Sequence, residues 1–509
     1  MSRIESRPRS RIPAAMWGIA LLFLVKAAAL ALFVTPLWDV PDEIAHFATI
    51  SDLASGRGIP RPGRALIAPE TVALWNPGLA GRPVYNWAAI HPPGYHALAA
   101  PFLWAARAAT ADPESQVRGT RLFSALCGAA GLLVFFLVMR EAGADDAASL
   151  AAAAAVGFIP MYSHMSSGVN HDILCALLGG LVALCWMRLI RTRSVRDAFA
   201  VALALAAAGA VKATAVPLAL ALLPLMPAHL EGRPGHRLVR AASAAVVALS
   251  TTGLWALWRG QVPGADARPA AGPAHATTPL SFFEMLRDTP ILDHTFKNFF
   301  GLIGWTGTGR GAVSWFQVSG VFLAPYLFLA ALLSVLTAVW VWKRNGGAVR
   351  DAVTTTSWAL SAAAFLTSFA WLASRPSTAW PKLLVYCVLA AVLCLSVLRV
   401  WRPRRAPESA VHSAQWAVLV FLAAYLVHIV RHSLAAGLVH GTHGRYFFVV
   451  LAFLLPALVL PAAAWLARRT WRNRALFWAV LVLLADETAF FLLRVLPFYR
   501  GAGPVAPPS

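Results

Sequence analysis

The sequence predicts an all-α polytopic integral membrane protein of about thirteen transmembrane helices. Three observations carry this. The chain is 59% hydrophobic and 13% charged, with mean hydropathy +0.64, where a soluble domain carries about a quarter charged residues. Apolar runs of roughly 17 to 25 residues, each the length of a membrane-crossing helix, recur from end to end. The arginines sit in short loops between those runs, the pattern of cytoplasmic loops. The formal charge of +21 therefore marks loop orientation rather than a nucleic-acid surface.

The elements follow in order. The basic N-terminus, 1–13, starts inside, and a retained anchor span follows it, because no small-residue cleavage site succeeds the apolar run. That span, about 14–35, exits outward into "TPLWDVPDEIAHF". The short basic loops "RLIRTRSVRD", "EGRPGHRLVR", "KRNGGAVRD", "RVWRPRR" and "ARRTWRNR" all belong inside. Parity then places spans near 117–139, 146–163, 171–190, 197–211, 213–229, 238–258, 319–342, 352–373, 382–399, 413–431, 445–466 and 474–496. The scheme requires "HPPGYHALAAPFLWAARAA" (91–109) not to cross but to lie along the outer interface. The stretch 36–116 is then one long outer loop and 259–318 a second. Residues 14–466 form the transmembrane module, and 467–509 a last helix with a short outer tail. Splitting 197–229 into two short helices puts Lys212 at their tip.

Five cysteines, all inside apolar runs, match neither a metal spacing nor a loop disulfide. They read as small core residues.

The unusual polar blocks fall on the outer side: "DVPDEIAHF", "HPPGYH", "YSHMSSGVNHD", "FKNFFGLIGWTGTGR" and "VHGTHGRYFF". In the first, Pro41 suits the first turn of a helix. Asp42 and Glu43 then lie near a helix N-terminus, where carboxylates are favoured. Asp42 and His46, four apart, share a face. Asp39 or Asp42 acting simply as an N-cap is the plain alternative. Asn170 and Asp172 stand at the outer start of a span, with the same alternative. Lys212 has no acid nearby in sequence. A buried ammonium needs a partner, either a structural acid or a bound phosphate. In "GTHGRYFF", glycines flank His443 and Arg445 follows. An arginine fork suits phosphate, while a snorkelling Arg beside an interfacial Tyr is the alternative. The histidines form no HxxxH or HExxH spacing.

Taken together and in order, these blocks resemble the C superfamily of membrane glycosyltransferases (the GT-C fold). That group includes the protein O-mannosyltransferases and the transferase that adds aminoarabinose to lipid A. "PDEIAHFATISDLASG" is similar to its first-loop Asp-Glu block, "HPPGYHALAAP" to its interfacial segment, and "RLFSALCGAAGLLVFF" to its second span. The nearest resemblance is to a bacterial subgroup known as a domain of unknown function, with PDE–H–F, HPP, N–D and GRY blocks, over about residues 15–465. The chain departs from that pattern at His443, where Gln is common, and at His171, where Pro or Asn is commoner.

The resemblance implies a GT-C-like fold and transfer of a sugar from a polyprenyl-phosphate donor, outside the membrane, with inversion. The acceptor class stays open between cell-envelope glycan, lipid and protein. Inversion needs one base for the acceptor hydroxyl, and Asp42 is the first choice, with Glu43 and His46 orienting it or the sugar. Arg445 and Lys212 are expected to hold the leaving phosphate, and Asp172 to bind hydroxyls. The candidate set is Asp42 and Glu43 as catalytic carboxylates, with two further groups binding substrate. His46, His91, Tyr95, Asn170 and Asp172 form one; Lys212, Trp305, His443, Arg445 and Tyr446 form the other. No cofactor is demanded; a divalent cation (Mg or Mn) is left open. Partners are the lipid-linked donor, the acceptor and membrane lipids, with no nucleic acid. The expected location is a bacterial inner membrane. A transporter or flippase of a lipid-linked glycan is the alternative, and it needs polar groups along a path to the cytoplasmic side. The inner halves of the spans are almost wholly aliphatic.

Overall fold

The computed structural model describes residues 12–260, 298–303, 313–314, 406–436, 443–466 and 470–501. The expected spans at 319–342, 352–373 and 382–399, together with Trp305 and most of the second outer loop, lie outside the described residues. The architecture is nearly all helical. Six described helices are long and apolar enough to cross a membrane, and a bent pair makes up to seven.

Helix α1 (Ala14–Ala29) continues through a π turn, Leu30–Val34, and stops before Pro36. The first loop then folds into α2 (Glu43–Ala54), α3 (Pro69–Trp75), a 3-10 turn at Trp87–Ile90 and α4 (Gly94–Ala109). With 16 residues, α4 reaches about 24 Å, short of a hydrocarbon core about 30 Å thick. It buries Tyr95, Ala99, Leu103 and Ala106, and leaves Leu98 and Trp104 exposed. That two-sided character is the one expected for an interfacial helix.

Helix α5 (Pro113–Glu141) is capped by Asp112, whose carboxylate accepts from the Ser115 N–H. The span expected over 146–163 is a bent pair, α6 (Asp146–Gly157) and α7 (Pro160–Ser166), meeting at 67°. Pro160 is the cause: it lacks an N–H and keeps Ile159 extended, so the helix cannot run through. Helix α8 (Asp172–Thr192) is followed by α9 (Val195–Gly209), and a turn at Lys212 leads to α10 (Val216–Leu222). The expected tip at Lys212 is therefore present. Next come α11 (Pro234–Gly260), α12 (Ala406–Ala436), α13 (Leu451–Leu466) and α14 (Arg472–Phe490). A π turn carries α14 into α15 (Leu496–Gly501).

Two ends of the bundle can be told apart by their ion pairs. Where α5 and α8 finish, Glu141 pairs with Arg188 and Arg191. Arg140 pairs with Asp146, and Arg472 with Asp145, at the same end. Where α5 and α8 begin, the polar blocks of the sequence gather. Midway, Lys26 of α1 meets Glu487 of α14 at 2.7 Å. Ser163 and the Gly157 carbonyl complete that polar knot. Unpaired charges within a membrane span are costly, so this pair holds the last helix to the first.

Two glycines bring distant segments into contact at the loop end. A side chain at Gly94 would strike the Ala210 carbonyl, which the Gly94 N–H bonds at 3.0 Å, so the HPP segment sits on the Lys212 tip. Gly179 likewise lets the Val449 backbone lie directly on α8, bringing the Gly444–Val450 turn over its first residues.

Candidate functional site

The PDE block is shaped by a buried ion pair. Glu43 and Arg121 are bonded through two prongs, Nε to Oε1 and Nη2 to Oε2, both 2.7 Å, with neither side chain exposed. Arg121 spends its other N–H groups on the carbonyls of Ala31, Thr35 and Pro36. All five guanidinium donors are thus used. Glu43 also accepts from the Trp38 and Val169 N–H groups. The expectation that Glu43 is catalytic is corrected on this geometry: its carboxylate is enclosed and fully bonded, with no face left for a substrate. Its contacts join the end of α1, the start of α2, α5 and the loop before α8. Arg121 lay within the quoted "RLFSALCG" block, but a lone Arg in an apolar run gives no sign of its partner.

Asp42 is held quite differently. It adopts a left-handed conformation, φ 62°, and its side chain makes no cap bond. Aspartate tolerates this region better than most residues. The helix begins at Glu43, so Pro41 precedes it rather than filling its first turn. Asp42 Oδ1 accepts from the Trp87 indole N–H at 3.0 Å and Oδ2 from Arg445 Nη2 at 3.1 Å. Its side chain remains 42% exposed. Asn170 secures the same turn, donating to the Pro41 carbonyl while its oxygen accepts the Asp172 N–H.

Asp172 lies between two cations. Lys212 Nζ bonds Oδ1, and Arg445 Nε bonds Oδ2 at 2.9 Å. Lys212 also stands 4.2 Å from the Tyr446 ring centroid, a cation–π contact. The partner that Lys212 required is therefore Asp172. Lys212, Asp172, Arg445 and Asp42 form an alternating row, buried except at Asp42. Arg445 Nη1 has no hydrogen-bond partner among the described residues. His443 precedes the Arg445 turn and packs against Tyr446 at 5.3 Å between ring centroids.

Beneath this row lie four imidazoles. His46 Nδ1 is 2.9 Å from His96 Nε2 and 3.4 Å from His171 Nδ1. The His91 ring packs on those of His46 and His171, and His171 Nε2 is 3.4 Å from Asp172. Burial holds His46 well below the usual imidazole range, with neighbouring His96 adding to it. Burial, then the charge of Lys212, lowers His91 to about 4. Burial, then His91, lowers His96 to about 3. His96 and His171 escaped selection from sequence, although both lie in the quoted blocks. Tyr95, expected to bind substrate, is corrected to a core residue: fully buried, its hydroxyl bonds Ser124 at 2.9 Å. Asp39 is drawn off to α15, accepting from the Tyr499 hydroxyl at 2.6 Å. Among the described residues no group of three or more His, Cys, Asp or Glu side chains is placed to hold a metal ion.

The sequence profile of a family described as dolichyl-phosphate-mannose-protein mannosyltransferase matches residues 96–258. Over that stretch, about a third of its length, the chain is similar to this family. The matched segment of this chain includes His96, Arg121, Asn170, His171, Asp172 and Lys212, while Asp42 and Arg445 lie on either side of it. No curated protein sequence matches the chain significantly.

Three solved structures are similar in chain course. One is the Saccharomyces cerevisiae protein O-mannosyltransferase Pmt1–Pmt2 complex bound to the sugar donor, at 13% identity and TM-score 0.35, covering 53% of this chain and 36% of that one. Another is ArnT from Cupriavidus metallidurans bound to undecaprenyl phosphate, at 15% identity and TM-score 0.35, covering 89% and 78%. The third is the Archaeoglobus fulgidus oligosaccharyltransferase in complex with Zn and sulfate, at 13% identity and TM-score 0.44, covering 94% and 53%. The chain thus spans about a third of the length of the yeast protein and about half that of the archaeal one.

Proposed function

We propose that this protein is an inverting glycosyltransferase that moves a sugar from a polyprenyl-phosphate donor to an acceptor hydroxyl on the extracytoplasmic face of a bacterial inner membrane. The observation that carries the reading is the row Lys212–Asp172–Arg445–Asp42, with a single open carboxylate at its end. Asp42 is the base: it takes the acceptor hydroxyl's proton as the acceptor oxygen bonds the anomeric carbon. The bond from that carbon to phosphate breaks on the opposite side, and polyprenyl phosphate leaves with the electron pair. Arg445, whose Nη1 has no partner among the described residues, and Lys212 hold the charge that develops on the phosphate. Asp172 keeps the two cations apart and oriented. Asn170 and the Glu43–Arg121 pair position the turn that presents Asp42. A lipid-linked donor reaches such a site sideways from the bilayer, consistent with a row at the mouths of α8 and α13.

The test is a lipid-extract assay with labelled polyprenyl-phosphate sugar, wild type against Asp42→Asn. The variant is expected to fold and to lose transfer. Activity within a few-fold of wild type would overturn the role of Asp42.

A further inference from the structure

Trp87 is unlike the other exposed indoles of the described chain. Trp104 is also exposed, but its N–H is spent on the Ala54 carbonyl, away from the charged row. Trp87 instead aims its N–H at Asp42, and 41% of its surface stays exposed. Its place is built in. Asn86 accepts the Ala88 N–H and so starts the short turn that carries Trp87. The same Asn86 donates to Thr49 of α2, and its N–H bonds the Ala65 carbonyl. Trp75 packs edge-on to the Trp87 ring, centroids 6.4 Å apart. A part-exposed indole therefore lies within hydrogen-bond reach of a half-open carboxylate.

We propose that Trp87 is the stacking platform for the acceptor, and that the acceptor is a carbohydrate. The proposal rests on Asp42 being the base. A pyranose carries its C–H bonds on one face and its hydroxyls around the rim. The C–H face suits the electron-rich indole face, while a rim hydroxyl then points at the carboxylate beside the ring. Each Asp42 oxygen has one lone pair left after its bonds to Trp87 and Arg445, so a hydroxyl can be accepted without displacing either. An indole serving only as an interfacial anchor would direct its N–H to water or head groups, not to the base.

The test uses the full chain in lipid nanodiscs and saturation-transfer NMR, with short unlabelled trisaccharides of glucose and of N-acetylglucosamine as probes and a Ser/Thr-rich peptide as the contrast. The expected result is transfer to the C–H protons of one sugar face, falling at least about five-fold in Trp87→Ala. Transfer should be retained in Trp87→Phe, which keeps an aromatic face. Equal transfer in wild type and Trp87→Ala, or transfer to the peptide and to no trisaccharide, would overturn the proposal. Trisaccharide binding that depends on Trp87 in a protein that moves no sugar would sink the proposed reaction alone. Sugar transfer with trisaccharide binding indifferent to Trp87 would sink the platform alone.

Discussion

Glu43 and Arg121 form an enclosed two-pronged ion pair, with both N–O distances 2.7 Å, that joins four segments of the chain around the turn holding Asp42. Breaking a buried pair from one side leaves an uncompensated charge and costs about 3–5 kcal/mol. Glu43→Ala and Arg121→Ala are each expected to lower stability by that order. Thermal unfolding of the detergent-purified variants checks this. A Glu43→Ala protein as stable as wild type but inactive would return Glu43 to a catalytic role.

Arg445 bonds both Asp42 and Asp172. Replacing it with Ala should raise the KM for a polyprenyl-phosphate sugar at least about ten-fold, and Arg445→Lys should recover part of the loss, because a point charge lacks the fork. Lys212→Ala should act in the same direction. A change confined to the acceptor KM would count against phosphate contact.

The buried histidines make stability depend on pH. His91, lowered to about 4, and His96, lowered to about 3, compare with about 6.5 in an unfolded chain. Between those values the unfolded state binds more protons, so stability is complete above about pH 6.5 and falls as pH drops toward 4. The slope is at most about 1.4 kcal/mol per pH unit for each histidine. Unfolding temperatures measured from pH 7.5 to 4.5 should decline, and less steeply in His96→Gln. Equal slopes would show that His96 takes up its proton alike in the folded and the unfolded protein.

Lys26 and Glu487 meet between the first and last described spans. Glu487→Leu alone should reduce folded yield by stranding the ammonium, whereas Lys26→Met with Glu487→Leu should restore it. Quantified size-exclusion profiles of the three proteins decide this.

Orientation can be read by labelling. Ala80→Cys and Glu231→Cys are both at exposed positions, while native Cys127 and Cys175 are buried. A membrane-impermeant maleimide should reach the first from outside and the second only after permeabilisation. Labelling of both from one side would overturn the parity scheme.

Much of the site was legible before any coordinates. Asp42, Asn170, Asp172 and Arg445 come from the polar blocks at span mouths, and Lys212 was singled out as an ammonium between apolar runs; the fold does bring them together. The role of Glu43 was not legible. In sequence it is the twin of Asp42, and only Arg121, 78 positions away, distinguishes them. Tyr95 misled for a similar reason: its motif lies at the site, but the face of α4 that carries it turns inward. Trp87 went unnoticed because an aromatic residue in a long outer loop has an ordinary explanation as an interfacial anchor.

By itself, the sequence determined the membrane class, a helix over 94–109 too short to cross, and the turn at Lys212. These depend on local quantities: the length of apolar runs, the position of prolines and the placement of arginines. The tertiary structure alone decided which carboxylate is enclosed and which stays open, and that Lys212 is neutralised by Asp172. It alone set an indole against Asp42 and four imidazoles in one pocket. Those outcomes depend on charge pairing and close packing between segments as far as 403 positions apart, as for Arg445 and Asp42, a separation at which neighbouring residues carry no trace of the partner.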